Sequence, residues 1–418
     1  MKLSHLAETL IGSEIVKLGN QIKERIRQGA HIYNFTIGDF DSTVFPIPQQ
    51  LEDAIVEAYR QRHTTYPAAE GILELRQSVS AFIREREGLE YGVDEIQIAS
   101  GGRPLIYAAF RALVDAGERV IYAVPSWNNN HYVHFTGAQH VIVETTPATN
   151  FMPTAESLAP LLPGATLLCL CTPQNPTGTM LSRNEMDAIC QLIIAENQRR
   201  TPGEKPLFVL FDQMYWTLTY GSNEHINPVT LYPQLKPYTV FIDGISKVFA
   251  ATGVRVGWAL GPANIISRIK AILSHVGAWA PMAEQKATAA FLRQKEVIDA
   301  YLGSFREAIH YRLTTIAAGF QQLQAAGYPV AVIEPQGAIY LTIKIDLKGK
   351  RKPDGAVLET QADVTQYLLE AAQLAIVPFS AFGADGNAPW YRLSVGTCRK
   401  EDIPAFLGKL EAALAALQ

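Results

Sequence analysis

The chain has 418 residues, of which 48% are hydrophobic and 18% are charged, a composition typical of a globular protein with a large core. This length predicts about two or three domains. The formal net charge is −4, so the chain lacks the excess of positive charge that is typical of proteins binding nucleic acid or anionic lipid.

The amino-terminal sequence lacks the unbroken apolar stretch of a signal peptide, and no run approaches the roughly 18 apolar residues of a membrane span. We therefore expect a soluble cytoplasmic protein without a membrane partner. The four cysteines form no Cys-x-x-Cys pair. Cys169 and Cys171 lie in an apolar run that predicts a buried strand, which favours core thiols over metal ligands, and we expect no metal site.

Helical patterns alternate with short apolar runs from about residue 48 to residue 275. Apolar residues at helical spacing predict helices over 49–62, 72–87, 105–116 and 185–197. Apolar runs predict strands over 96–99, 120–124, 141–143, 167–171, 207–211 and 240–243. This alternation predicts an α/β fold, a mainly parallel sheet with helices on both faces, in which ligands bind beyond the carboxyl ends of the strands.

The pattern changes after about residue 300, where a long helical stretch leads to strands near 330–333, 338–345 and 391–394 and to a final helix from about 402. This indicates a smaller α+β domain, with which the first 45 residues are expected to pack. We therefore predict a large domain of residues 46–295 and a small domain made of residues 1–45 and 296–418.

A glycine turn, Gly101-Gly102-Arg103, follows the first predicted strand and opens a helix. Free backbone N–H groups at a helix start favour an anion, and glycine lets the anion approach closely. Taken alone, the turn is weak evidence for an anion site, and the sequence favours an ordinary tight turn. It matches neither of the common nucleotide-binding loops, so the sequence does not favour nucleotide binding.

Three further strand ends carry polar side chains. Asn175 lies in a rigid Pro-rich turn after the fourth strand, Asp212 ends the fifth strand and precedes Tyr215 by three residues, and Lys247 follows the sixth strand. A buried carboxylate needs a partner, and a desolvated lysine is more easily deprotonated and so more nucleophilic. Separately, these residues could also be a turn amide, a helix cap and a surface lysine.

Taken in order, these residues resemble the class I/II aminotransferases of the aspartate/aromatic branch, which are fold-type-I enzymes dependent on pyridoxal 5'-phosphate (PLP). The resemblance covers nearly the whole chain. The motifs that carry it are Tyr66-x4-Gly71-x3-Leu75-Arg76, Gly101-Gly102-Arg103, Trp127, Asn175-Pro176-x-Gly178, Asp212-x2-Tyr215, Ser246-Lys247-x7-Arg255 and Arg392.

The resemblance implies that Lys247 forms a Schiff base with PLP and shuttles a proton, and that Asp212 pairs with the pyridine nitrogen. Asn175 and Tyr215 would bind the 3' oxygen, and Trp127 would stack on the ring. The phosphate would lie on the amides of the Gly101-Gly102-Arg103 turn, beside Ser246 and Arg255.

The resemblance also implies a substrate site and a homodimer. Arg392 would bind the substrate α-carboxylate, Gly38 would close over the substrate with a backbone amide, and Tyr66 would reach the phosphate of the neighbouring subunit. The reaction would move an amino group between an L-amino acid and a 2-oxo acid by a ping-pong route.

Other outcomes stay open at this point. A β-lyase or a decarboxylase uses the same lysine, aspartate and arginine frame, and a PLP-binding sensor domain is a further alternative. The family often has a serine three residues before the lysine as a phosphate ligand, where this chain has Gly244; Ser246 or Ser100 could replace it. The substrate is also open: the Arg103 side chain is a candidate for a distal carboxylate, whereas Phe40, Tyr132 and Trp279 could line an apolar pocket or simply pack.

Overall fold

A computed structural model describes residues 2–10, 12 and 14–418. The helices are α1 His5–Thr9, α2 Glu14–Arg27, α3 Gln49–Arg60, α4 Leu73–Glu87, α5 Gly102–Leu113, α6 Asn129–Thr136, α7 Ala155–Leu158, α8 Arg183–Arg199, α9 Pro228–Leu231, α10 Ile245–Val248, α11 Ala263–Val276, α12 Met282–Phe291, α13 Lys295–Ala325, α14 Gln361–Ala371 and α15 Asp402–Ala415. The strands are β1 Tyr33–Asn34, β2 Ile96–Ala99, β3 Arg119–Val124, β4 Gln139–Glu144, β5 Ala165–Cys171, β6 Phe208–Asp212, β7 Thr239–Gly244, β8 Gly257–Leu260, β9 Val330–Val332, β10 Tyr340–Ile345, β11 Leu374–Ala375, β12 Val377–Pro378 and β13 Trp390–Ser394.

The largest sheet has seven strands in the order β2-β8-β7-β6-β5-β3-β4. Strands β4, β3, β5, β6 and β7 pair in parallel, which confirms the predicted α/β fold class. Strand β8 is antiparallel to both β2 and β7 and was not predicted. Its four residues are too few to show a period, and they follow an irregular stretch of chain, so nothing in the local pattern marked them as a strand.

The two faces of this sheet pack against separate sets of helices. In β5, Leu168 and Leu170 join one apolar cluster, whereas Leu167 and Cys169 join the cluster on the opposite face. Because both faces are buried, the strand is a continuous apolar run without alternation. The cysteines of this run are free thiols.

The carboxyl-terminal part of the chain forms a four-stranded antiparallel sheet in the order β12-β13-β10-β9. Its core also includes α13, α14 and α15. Strand β1 pairs in parallel with β11, with Tyr33 opposite Leu374, so this amino-terminal strand joins the carboxyl-terminal part of the molecule. The division into domains at residues 45/46 and 295/296 stays a prediction.

Strands β5, β6 and β7 end side by side, so Cys171, Asp212 and Gly244 lie along one edge of the sheet. Helix α5 begins at the same edge, after the antiparallel β2. The sheet topology thus gathers segments that are distant in sequence around one point. Among the described residues, no helix is both long enough and apolar enough to cross a membrane.

Candidate active site

A cavity of about 540 Å³ opens at this edge of the sheet. Eleven of the predicted site residues line it: Gly38, Gly102, Arg103, Trp127, Asn175, Asp212, Tyr215, Ser246, Lys247, Arg255 and Arg392. The other lining residues are Ile15, Asp39, Ile106, Met214, Thr252, Gly253 and Tyr340. The structure therefore brings together the residues that follow four different strands.

Lys247 lies on the short helix α10, directly after β7. Its Nζ donates a hydrogen bond to the carbonyl oxygen of Gly38 at 2.5 Å and lies 5.6 Å from the ring centroid of Phe40. Burial lowers the pKa of Lys247 to about 8, a shift that Asp39 opposes and the three cavity arginines reinforce. A large fraction of this amine is therefore neutral and nucleophilic in the mildly alkaline range.

Asp212 ends β6 and presents its carboxyl group to the cavity. Its Oδ1 accepts a hydrogen bond from the Met214 amide at 3.1 Å. Burial raises the pKa of Asp212 to about 6, and the Met214 bond lowers it. Within the described part of the chain, no lysine, arginine or histidine forms an ion pair with this carboxyl group. Its surroundings suit a ligand that brings a cationic N–H group.

Arg392 lies on β13 and is 1% exposed. Its Nη1 donates to Asn175 Oδ1 at 3.0 Å and its Nη2 donates to the Thr36 carbonyl at 2.6 Å. Its Nε is buried and has no hydrogen-bond partner, and no carboxylate pairs with it among the described residues. A buried guanidinium in this state favours a ligand with a carboxylate, which it can bind through two N–H groups.

A cradle for an anion lies at the start of α5. Gly101 precedes the helix with φ +88°, and a Cβ there would lie 2.4 Å from Arg255 Nη2, so this position requires glycine. Arg255 donates to the carbonyls of Ser100 and Thr252, at 2.7 Å in both cases. The Arg255 guanidinium and the first amides of a twelve-residue helix thus meet at one side of the cavity, an arrangement that suits a phosphate.

The structure distinguishes the two serines that could replace the family's usual serine. A Cβ at Gly244 would lie 2.7 Å from Gly257 Cα and 2.8 Å from the Val256 carbonyl oxygen, because β8 runs directly alongside. A serine therefore does not fit at 244. Ser246 lines the cavity, whereas Ser100 contributes only its carbonyl, so Ser246 is the better placed hydroxyl donor.

Tyr340 is a cavity residue that sequence reasoning missed. Its hydroxyl lies 2.5 Å from the Tyr215 hydroxyl, and the Arg392 guanidinium lies 4.8 Å above its ring. In the sequence, Tyr340 stands in an apolar strand and is indistinguishable from a core residue. Only its position beside Arg392 in the folded chain identifies it as part of the site.

The three aromatic residues considered for an apolar pocket do not line the cavity. Phe40 packs against Phe45, Tyr132 packs against Phe110, and Trp279 contacts Tyr66. Trp127 does line the cavity, and the Arg103 guanidinium lies 5.0 Å from the centroid of its ring. The wall at Trp127 therefore includes the Arg103 cation.

Tyr66 lies outside the cavity of its own chain. It is 84% exposed, and its ring makes an edge contact with Trp279 at 5.3 Å. Among the described residues, it is the most exposed of the large hydrophobic side chains.

Comparisons with known proteins match this geometry. The sequence model of the family "Aminotransferase class I and II" matches residues 30–410. The chain is 29% identical to the aspartate aminotransferase of Rhizobium meliloti (strain 1021) over 392 residues, covering 93% of this chain and 90% of that protein. It is 28% identical to the aspartate/prephenate aminotransferase of Thermus thermophilus over 397 residues, covering 94% of each.

Solved structures agree. The crystal structure of the aspartate aminotransferase from Rhizobium meliloti superposes with a TM-score of 0.90 at 26% identity and full coverage of both chains. The Thermus thermophilus aspartate aminotransferase with maleate superposes with a TM-score of 0.86 at 28% identity, covering 99% of this chain and all of that one. The chain therefore belongs to the class I and II aminotransferases and is an enzyme that transfers amino groups.

Proposed function

We propose that this aminotransferase holds PLP in the cavity at the strand ends, bonded covalently to Lys247 Nζ. The observation that carries the proposal is the juxtaposition, in one cavity, of a lysine with a lowered pKa, an unpaired buried carboxyl group and an anion cradle. These three groups fit the aldehyde, the ring nitrogen and the phosphate of PLP respectively. When bound, PLP acts as an electron sink for the carbanion formed at the substrate α-carbon.

The remaining cavity residues orient the reactants. Asp212 would keep the ring nitrogen protonated, Asn175 and Tyr215 would donate to the 3' oxygen, and Trp127 would lie against the ring face. The Gly101-Gly102-Arg103 turn, Ser246 and Arg255 would hold the phosphate.

Arg392 would bind the substrate α-carboxylate, and Gly38 would cover it with its backbone amide. Once a substrate amine has replaced it, the free Lys247 Nζ would move a proton between the substrate α-carbon and the C4′ carbon of the cofactor.

We further propose that the substrates are dicarboxylic, such as aspartate or glutamate and their 2-oxo acids. The support is that Arg103 places a guanidinium in the cavity wall in addition to Arg255 and Arg392, with no carboxylate paired to it among the described residues. The relatives are named for aspartate, and one was solved with maleate, which is a dicarboxylate. Because Arg255 is assigned to the phosphate and Arg392 to the α-carboxylate, the additional cation of Arg103 favours a substrate with a second anionic group.

We also propose a homodimer whose sites are shared between subunits. Tyr66 is too far from its own cavity to line it, yet it is exposed beside Trp279. In a dimer, its hydroxyl would reach the phosphate held by the neighbouring subunit. Tyr66→Phe should then weaken PLP binding although it leaves the chain's own cavity intact, and sedimentation should show two subunits.

The test is the visible absorption spectrum of the purified protein with PLP, recorded beside Lys247→Ala. We expect a visible band from lysine-linked PLP, lost on adding aspartate or glutamate and restored by 2-oxoglutarate or oxaloacetate. Lys247→Ala should lack the band. A band that persists in Lys247→Ala contradicts the attachment site, and a band that no amino acid converts contradicts the proposed reaction and favours a lyase, a decarboxylase or a sensor.

A further inference from the structure

Glu87 is a buried acid that the proposed reaction does not use. It is the last residue of α4, and its side chain is only 2% exposed. Burial and the neighbouring Asp243 carboxyl group raise the pKa of Glu87 well above its usual range. The carboxyl end of a helix also disfavours a negative charge. Keeping an acid here is costly, which calls for a structural or functional reason.

The reason lies in what Glu87 touches. Gln213 Nε2 donates to both of its carboxyl oxygens, at 2.8 and 2.9 Å, and Gln213 is fully buried. His225 Nε2 lies 3.4 Å from Gln213 Oε1 and 3.6 Å from Glu87 Oε2. Burial lowers the pKa of His225 to about 3, so the ring is neutral and supplies no compensating charge.

Gln213 is the residue directly after Asp212. The segment Asp212–Trp216 sends side chains in two directions: Asp212 and Tyr215 line the cavity, whereas Gln213 and Trp216 bond to acids behind it. Trp216 Nε1 donates to Asp243 Oδ2 at 2.9 Å. Two buried acids therefore anchor, from behind, the segment that presents both Asp212 and Tyr215.

We propose that Glu87 is a positioning residue, which acts through the Gln213 amide to fix the orientation of the Asp212 carboxyl group in the cavity. This inference rests on the proposed role of Asp212 as the partner of the PLP ring nitrogen. Removing Glu87 leaves the buried Gln213 amide without this acceptor. We expect Gln213 to turn toward another partner and, because it adjoins Asp212, to shift the Asp212 carboxyl group.

The experiment compares Glu87→Leu, Gln213→Met, the double variant and Glu87→Gln. Both single variants should lower kcat about tenfold with little change in KM, since a small misplacement of a reacting group is costly. Both should also shift the pH transition of the visible PLP band to higher pH, because a less protonated ring nitrogen repels the imine proton less. The double variant should be no worse than either single variant. Glu87→Gln, which can form a paired amide with Gln213, should restore most of the activity.

The matched control is Glu196→Leu. Glu196 is also a buried acid, 4% exposed at its side chain and bound by Arg200 at 2.7 Å, but it lies near the opposite edge of the sheet. It should lower the thermal stability of the PLP-free protein without moving the spectral transition. If Glu87→Leu behaves as Glu196→Leu does, Glu87 is merely structural and the inference is overturned.

Two further outcomes, a variant that does not fold and a failure of the proposed function, can be told apart from a failure of this inference. If Glu87→Leu does not fold, Gln213→Met alone decides, and an unchanged kcat and transition in that variant overturn the inference. If the parent protein shows no lysine-linked band, the proposed function itself fails, whatever the variants do.

Discussion

The hydroxyl oxygens of Tyr215 and Tyr340 lie 2.5 Å apart in the cavity wall, and Arg392 lies over the ring of Tyr340. Each phenol has a single proton. When Tyr215 donates its proton to a bound ligand, its oxygen can still accept the proton of Tyr340. Tyr340 therefore links Arg392, proposed to bind the substrate carboxylate, to Tyr215, proposed to bind the cofactor 3' oxygen.

Tyr340→Phe removes this link but keeps the ring beneath Arg392. We expect kcat/KM to fall about fivefold, the effect of one hydrogen bond of roughly 1 kcal/mol, and the visible band to titrate at higher pH. Tyr340→Leu, which also removes the ring, should in addition raise KM for the amino acid. A Tyr340→Phe enzyme with parental kinetics and spectrum would show that the pair is a packing contact only.

The lowered pKa of Lys247 predicts how the PLP-free enzyme captures its cofactor. Only the neutral amine attacks the aldehyde, so the capture rate should rise from pH 7 and level off above a midpoint near 8. Stopped-flow absorbance measures this rate. N-acetyl-lysine amide, whose amine has an ordinary pKa, is the control and should show no plateau below pH 9. A midpoint shared by enzyme and control would contradict the burial argument.

Asp212 should destabilise the PLP-free protein at neutral pH. Its pKa is about 6 when folded and 3.8 in the reference state, so the folded protein binds more protons between these values and loses stability as pH rises through them. Asp212→Asn removes that cost and should stabilise the PLP-free protein by about 3 kcal/mol well above pH 6 and by little below pH 4. Thermal unfolding at both pH values measures the difference, and the same variant should lose most of its activity. An equal gain at both pH values would contradict the electrostatic explanation.

Gly244→Ser should lower the stability of the protein, whereas Ser246→Ala should weaken only its binding of PLP. A side chain at Gly244 meets the backbone of β8 at 2.7 Å, so Gly244→Ser should lower the melting temperature by several degrees, the effect of an overpacked core. Ser246→Ala should leave the melting temperature of the PLP-free protein unchanged and weaken PLP binding. Gly244→Ala adds the Cβ without a hydroxyl and so tests the steric effect alone. A Gly244→Ala protein with the parental melting temperature would contradict the predicted clash with β8.

The repeating parts of the fold could be read from the sequence because local pattern determines them. The parallel strands β3 to β7 are apolar runs bounded by turns, and the helices between them show helical spacing. Strand β8 could not be read, since it is held by pairing with β2 and β7 on either side rather than by a pattern of its own. The same applies to β1, whose two residues gain strand geometry only from β11.

The residues of the candidate site likewise fall into those that the sequence pattern reveals and those that only the folded chain reveals. Lys247, Asp212 and Asn175 stand at strand ends, where a polar residue after an apolar run is conspicuous. Tyr340 and Glu87 carry no such mark, because their neighbours in sequence are not their neighbours in space. The partner of Glu87 is Gln213, 126 positions away, and only the folded chain joins them.

The parallel pairing of β1 with β11 has a mechanical consequence. It fixes the chain leading to Thr36 and Gly38 onto the same body as β13, which carries Arg392, and the Thr36 carbonyl is itself bonded to Arg392. Asp212 ends β6 of the seven-stranded sheet, and Lys247 lies on α10, directly after β7 of the same sheet. Arg392, which we propose to bind the substrate carboxylate, and the Gly38 carbonyl therefore form one connected unit, and we expect them to move together. Among the described contacts, the direct hydrogen bond from this unit to the lysine proposed to bind PLP runs from Lys247 Nζ to the Gly38 carbonyl. A Schiff base at Nζ has at most one N–H group, so the proposed attachment of PLP would weaken this link.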